Sequence, residues 1–438
     1  MSTIFDAVYV TALALSSPYL FLKLLASDRF RAGLTHRLGW IPPRNGERPC
    51  VWVHGASVGE ILTVKTLVKS LEKEFNNLDI VVSANTNTGL SVAEKCFTGK
   101  KLFYFPLDLS WVVDKVFEAV NPRCVILVEL ELWPNFLIAA AARRVPVVLV
   151  NARLSEKSLR CYRVLRKMSK GFFESLTRKE NVFCARTETD AARLSELGIS
   201  AAQIFVTGNM KYDNVEVDVP EDTKNRLMGL FEIESGDKVV VCGSTHEGEE
   251  AILLRTFKQL RVKHPQLRLV LVPRHVERIS EVIRLVHSMG LRSVRKTSLD
   301  KGEKIGGQKY ETVIVVDTMG ELLTIYSVAD GVFVGKSLVP QGGQNVMEPA
   351  GLAKPVMVGP HTFNFKDAVQ SLKDSNAITI VQDETSLREE MSHLLERPDE
   401  CREMGARAQS VVIKQGGATD RNMKVLREIL LKERVVSV

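Results

Sequence analysis

The 438-residue sequence predicts an α/β protein made of two doubly wound, Rossmann-like parallel sheets. Three observations predict it. Short β-branched, apolar runs alternate with stretches of helical period, and near-continuous apolar strands between helices imply parallel sheets covered on both faces. A polar break at 211–225 separates two such series. The chain also exceeds what one hydrophobic core usually organises.

The elements follow in order. Ala7 to Leu22 is an uncharged, mostly apolar run of 16 residues, short of the roughly 20 needed to span a bilayer and containing Pro18. A signal peptide fits poorly, because Asp6 stands where a basic region belongs and no cleavage-type site follows. Lys23, Arg29, Arg31, Arg37 and Arg44 come next, against Asp28 alone. Apolar burial followed by basic residues suits an anchor at the cytoplasmic face of a membrane, residues 1–25, whether it spans the bilayer or lies on it. The structural alternative is a helix packed on the protein body.

Strands are expected at Cys50–His54, Ile80–Ser83, Leu102–Phe105, Cys124–Glu129, Pro146–Asn151, Val182–Ala185 and Ile204–Gly208. Helical stretches such as Ile61–Phe75 and Leu132–Arg143 lie between them. This first domain covers 26–210, and the linker 211–225. The second domain, 226–438, has strands at Lys238–Cys242, Leu267–Val272, Thr312–Asp317, Gly331–Val334, Pro355–Val358 and Ala377–Val381, with helices such as Glu249–Val262 and Val276–His287. Its last helix is a candidate to pack back on the first domain. Two such sheets predict a ligand cleft at the carboxyl ends of their strands.

Composition narrows the function. The chain is 45% hydrophobic and 25% charged, ordinary for globular proteins. A net charge of +7 spread over this length gives no reason to expect a nucleic-acid partner. Seven scattered cysteines without a Cys-x-x-Cys pair, and histidines without ligand spacing, disfavour a disulfide framework and a metal site.

Polar turns at strand ends carry the chemistry. His54-Gly55-Ala56-Ser57-Val58-Gly59-Glu60 contains Gly-x-Ser-x-Gly, the nucleophile-elbow pattern of serine hydrolases. The same turn also reads as a ligand loop with Glu60 as reactive group, or as a helix start where the macrodipole favours a glutamate. The spacing leaves all three open. Glu129 and Glu131 end an apolar strand, where period two puts both on one face and repulsion is expected to raise one pKa. Pairing to a cation, or capping with Asn135, is the structural alternative. In the second half, Gly243–Glu249, Val272-Pro273-Arg274-His275, Asp317–Leu322, Gly335-Lys336-Ser337 and Gln341–Pro349 place glycines, cations and Glu348 at strand ends. Together they favour a nucleotide site, with backbone amides of the first turn meeting a phosphate. Neither a dinucleotide fingerprint nor a Walker loop occurs.

These motifs resemble a family. His54–Glu60, Glu129-Leu130-Glu131-Leu132-Trp133-Pro134-Asn135, Asn151–Ser155, Gly208–Asp213, Ser244–Glu250, Val272–His275, Asp317–Leu322, Gly342–Glu348 and Gly359-Pro360-His361-Thr362-Phe363-Asn364-Phe365 are similar to 3-deoxy-D-manno-octulosonic acid (Kdo) transferases of lipopolysaccharide synthesis, over essentially the whole chain. The resemblance implies the GT-B glycosyltransferase fold, anchorage at the cytoplasmic side of the bacterial inner membrane, and inverting transfer of Kdo from CMP-Kdo to the lipid A precursor, lipid IVA. It implies Glu60 as general base, Glu129 and Lys211 in transition-state stabilisation, and CMP binding by Pro273, Arg274, Met319, Gly320, Glu321, Asn345, Val346, Met347 and Glu348. No cofactor is implied, and the single phosphate of CMP does not require a divalent metal by charge counting. Ser57 is then a turn residue. The alternatives are another GT-B nucleotide-sugar enzyme, a non-catalytic nucleotide-binding regulator, or a membrane-docked hydrolase using Ser57. Two positions depart from the family pattern: Val346 where proline is common, and Lys336 where a second glycine is common.

Overall fold

A computed structural model of the chain describes residues 3–26, 31 and 33–432. It resolves two compact units. The described residues up to Asn214, with those from Gln415 onward, form the first; Val215–Lys414 form the second.

The first unit holds one parallel sheet: β1 (Cys50–His54), β2 (Asp79–Ala84), β3 (Lys101–Tyr104), β4 (Cys124–Val128), β5 (Val147–Ala152), β6 (Val182–Ala185) and β7 (Ile204–Val206). Their order is β3-β2-β1-β4-β5-β6-β7, so the winding reverses between β1 and β4. In such sheets the crevice outside the carboxyl ends at the reversal is where ligands bind. It lies where His54–Glu60 leaves β1 and Glu129 leaves β4.

Alternation along β1 assigns the two faces. Val51 and Val53 enter a core with Ile61 and Leu67, with Ile126 and Val128 of β4, and with Met423, Leu426 and Leu430. Trp52 points the other way, into an aromatic core with Phe103, Phe105, Phe117 and Phe136. Its ring centroid lies 5.0 Å from that of Phe136, and its Nε1 donates to Ser83 Oγ at 2.8 Å.

The second unit repeats the plan with β8 (Lys238–Thr245), β9 (Leu267–Pro273), β10 (Arg292–Arg295), β11 (Thr312–Val315), β12 (Gly331–Val334), β13 (Val356–Val358) and β14 (Thr379–Ile380). The order is β10-β11-β9-β8-β12-β13-β14, with the reversal between β8 and β12.

Several expectations need correction. β10 is absent from the predicted strands because Arg-Ser-Val-Arg holds a single apolar residue; it pairs only with β11, at the sheet edge. The stretch expected as one helix over 61–75 is two, Val58–Thr63 and Lys65–Glu74, broken at Val64. The expected linker 211–225 straddles the division between units and already contains the start of the helix Glu221–Leu230. The second unit ends at Lys414, short of the expected 438, because the apolar face of the helix Ala418–Lys432 is buried in the first unit's core.

The helix Thr3–Ala26 runs through Pro18. Phe5 is buried against Phe172 and Tyr9 packs on the same core, while Val8, Val10, Leu13 and Leu15 are exposed. Asp6 accepts from Ser110 N at 2.8 Å and from Ser110 Oγ at 2.6 Å. Among the described residues no helix is long and apolar enough to cross a membrane. Within the basic stretch that follows, residues 27–30 and 32 lie outside the described residues.

At the second reversal, Glu249 is fully buried and its carboxylate takes four backbone N–H groups: His246 (3.0 Å) and Lys336 (2.7 Å) on Oε2, Ser337 (2.9 Å) and Leu338 (3.0 Å) on Oε1. It ties the end of β8 to the end of β12. Gly335 allows the approach, since a Cβ there would stand 2.5 Å from Ser244 O. Replacing Glu249 with alanine orphans several buried donors at once, which costs about 3 kcal/mol or more. Calorimetry on Glu249→Ala is expected to show a melting temperature lower by roughly 6 °C or more.

Candidate active site

In the first unit, the turn after β1 brings Glu60 back over its own start. Ser57 caps the helix Val58–Thr63, accepting from Glu60 N at 3.4 Å. The Glu60 carboxylate accepts from Ala56 N at 2.6 Å and from Ser57 Oγ at 3.1 Å. This is the reciprocal cap that a Ser-x-x-Glu sequence encodes, shifted by one residue. Burial pushes the Glu60 pKa up to about 7, and the carboxylates of Glu131 and Glu129 push the same way against the Ala56 N–H and Ser57 hydroxyl. The geometry disposes of the elbow: Ser57 has extended backbone (φ −123°) rather than a strained turn, and its hydroxyl donates to a carboxylate instead of a histidine.

β4 stops at Val128, and Glu129 turns into the left-handed region (φ 60°). The two-residue alternation expected for Glu129 and Glu131 therefore ends before it reaches them. Glu129 pairs with Lys211 Nζ at 2.7 Å. Burial works to raise the Glu131 pKa, yet His54, Trp133 and Asn85 hold it below the usual carboxylate range. Trp133 Nε1 donates to Glu131 at 2.7 Å, and His54 Nε2 lies at 3.5 Å. The raised carboxyl at this strand reversal is thus not Glu131. It is Glu60.

Buried neighbours place these groups. His54 stacks on Phe105 with ring centroids 3.8 Å apart, and its Nδ1 lies 3.0 Å from Ser83 Oγ. Asn151, fully buried at φ 53°, accepts from Met210 N at 3.0 Å, which fixes the loop carrying Lys211. Asn214 donates to Thr63 O at 3.2 Å and to Met210 O at 3.2 Å, tying that loop to the helix bearing Glu60.

Sequence reasoning assigned no role to Asp108. It accepts from the N–H groups of Asn135 (3.0 Å) and Phe136 (2.8 Å), and so caps the helix Pro134–Ala142, whose own N-cap Trp133 makes no side-chain cap. A helix starting after Trp-Pro, without a local Ser, Thr or Asp, was the available signal. Burial pushes the Asp108 pKa up to about 6.

In the second unit, Pro273, Arg274, Met319 and Gly320 line one cavity of about 60 Å³ with Ser244, Val272 and Thr318. Glu321 does not join them: it accepts from Thr318 Oγ1, pairs with Lys296 Nζ at 3.1 Å and lines a separate cavity of about 530 Å³. In the turn before the helix Met347–Gly351, Asn345 Nδ2 donates to Glu348 Oε1 at 3.0 Å. Burial raises the Glu348 pKa, and Arg274 opposes that rise. Val346 and Met347 are buried. The polar pair of this run bonds within the turn, while the apolar members serve packing. The amides expected to cradle phosphate after β8 are partly taken, since His246 N already donates to Glu249.

Two doubly wound parallel sheets, each with its polar turns at the strand reversal, define an architecture of the GT-B type. The same fold occurs in the UDP-GlcNAc 2-epimerase from Neisseria meningitidis bound to UDP-GlcNAc (17% identity, TM-score 0.57, covering 88% of this chain and all of that one). Residues 32–214 match the family model described as 3-deoxy-D-manno-octulosonic-acid transferase (kdotransferase). The chain is 31% identical to the 3-deoxy-D-manno-octulosonic acid transferase of Haemophilus influenzae, covering 96% of this chain and 98% of that protein. It is 32% identical to the enzyme of the same name from Bordetella pertussis, covering 97% and 99%. The chain belongs to the 3-deoxy-D-manno-octulosonic acid transferase family of glycosyltransferases.

The raised pKa of Glu60 has a thermodynamic sign. Between pH 4.5 and about 7 the folded chain holds a proton that the unfolded chain has lost, so stability is withdrawn as pH rises through this window. Glu60→Gln removes that penalty. Melting curves are expected to show the variant more stable than the parent at pH 8, on the order of 1 kcal/mol, with the gain shrinking as pH falls toward 5.

Proposed function

We propose that the chain transfers Kdo from CMP-Kdo to the lipid A precursor, lipid IVA, with inversion at the anomeric carbon and Glu60 as general base. The observation that carries this reading is the Glu60 carboxyl, raised to about 7 at the strand reversal of a chain in this family. A base poised near neutrality combines an available ionised form with useful proton affinity.

In the proposed displacement an acceptor hydroxyl oxygen attacks the anomeric carbon as the bond to the CMP phosphate breaks. The hydroxyl proton passes to Glu60, and the bonding electron pair leaves with CMP. Positive charge develops on the sugar, and the Glu129 carboxylate meets it while Lys211 holds that carboxylate in place. Arg274 and the Asn345–Glu348 turn hold the nucleotide: the guanidinium answers the phosphate, and Glu348 suits ribose hydroxyls. One phosphate of modest charge is within reach of such groups, so the reading invokes no cofactor.

The reading places the enzyme at the cytoplasmic face of the inner membrane, with its N-terminal helix docked in lipid. The exposed Val8, Val10, Leu13 and Leu15 support this, as does the excess of arginine and lysine between Lys23 and Arg44.

A transfer assay in detergent with CMP-Kdo and lipid IVA tests the base. Glu60→Gln is expected to lower kcat by about 10³-fold, with CMP binding by calorimetry unchanged; transfer retained in the variant removes Glu60 from this role. Arg274→Ala is expected to weaken CMP binding about tenfold or more. UDP bound as tightly as CMP by the parent protein favours a different nucleotide-sugar enzyme.

A further inference from the structure

Lys336 is the residue after Gly335 at the carboxyl end of β12, and it stands in the left-handed region at φ 61°. Glycine adopts this conformation freely, and a lysine does not. The position is over-determined: Lys336 N donates to Glu249, and Lys336 O accepts from Gly343 N at 2.6 Å. The second bond joins it to the Gly-rich turn that continues to Asn345 and Glu348.

The surroundings carry both signs of charge: His275 Nδ1 lies 3.1 Å from Glu277, and Glu249 is spent on backbone N–H groups. His246 N and Lys336 N bind the same oxygen of Glu249, which brings the two residues together. The His246 ring meets that of His275 edge to face, centroids 5.4 Å apart, and His275 follows Arg274 directly. Burial lowers the His246 pKa, and Lys336 and His275 lower it further. Among the described residues no carboxylate lies within ion-pair distance of the half-buried Lys336 ammonium.

Glu249 decides what this corner can do. A turn of this kind usually offers its backbone amides to a phosphate, but the N–H groups of Lys336, Ser337 and Leu338 are occupied by Glu249. Recognition of an anion here therefore falls to side chains. We propose that Lys336 is a donor-binding residue whose ammonium takes an anionic group of the nucleotide sugar, in the same row of strand ends as Arg274. This rests on the donor assignment above. CMP-Kdo carries two such groups, the phosphodiester and the sugar carboxylate, and a lysine serves either as a mobile point charge.

Lys336→Gly tests this without threatening the fold, because glycine suits φ 61°; its melting temperature is expected to equal or exceed the parent's. Lys336→Met keeps the stem without the charge, and Lys336→Arg restores the charge. Calorimetry with CMP and with cytidine is paired with KM and kcat for CMP-Kdo. Contact with the phosphodiester predicts about tenfold weaker CMP binding in the Gly and Met variants, unchanged cytidine binding and recovery in the Arg variant. Contact with the carboxylate predicts unchanged CMP binding and a KM for CMP-Kdo about tenfold higher, with kcat little altered. Equal values of all these for Lys336→Gly, Lys336→Met and the parent overturn the proposal, as does an equal loss of cytidine and CMP. In either case a parent protein that binds CMP leaves the donor assignment standing; a parent that binds no CMP overturns both.

Discussion

A carboxylate at the end of an apolar parallel strand must find partners as water is excluded around it, and this constraint organises both units. Unpaired, such a group is costly or gives up its charge. The chain meets the constraint in different ways. Glu249 is enclosed completely by backbone N–H groups. Glu129 takes a lysine, and Glu131 a histidine and an indole. Glu60 is left with one short bond to Ala56 and a hydroxyl, among two other acids. With these two hydrogen-bond partners set against its burial, Glu60 is able to accept a proton at neutral pH.

The first strand of each unit leads into a helix with a Gly-Glu pair near its start: Glu60 is the third residue of the helix Val58–Thr63 after β1, and Glu249 the first of the helix Glu249–Leu260 after β8. The two carboxylates have gone to opposite uses. Glu60 keeps access to solvent and gains basicity, whereas Glu249 is sealed and welds two strand ends together. The weld takes up the amides of His246, Lys336, Ser337 and Leu338, so those four are not free to meet an anion.

Much of this was legible in sequence where neighbours along the chain decide the structure. The alternation at Val51, Trp52 and Val53 gives both faces of β1, and Ser57 with Glu60 encodes its own cap. Interactions between distant segments were not legible. The Lys336–Glu249 bond joins residues 87 positions apart, and the Asn135–Asp108 bond residues 27 apart. The pairing of Glu129 with Glu131 misled because period-two reasoning assumes an extended chain, and Glu129 leaves it. β10 carries no pattern of its own: its neighbour β11 defines it.

The helix Ala418–Lys432 completes a core begun at Val51, although all of the second unit lies between them in the chain. The second unit is thus an insertion within the first. On a ribosome its residues form a continuous stretch that can fold as soon as it has emerged, whereas the first sheet waits with one apolar face only partly covered until Leu430 follows. The order of synthesis is therefore not the order of completion: the unit that carries Glu60 is begun first and finished last.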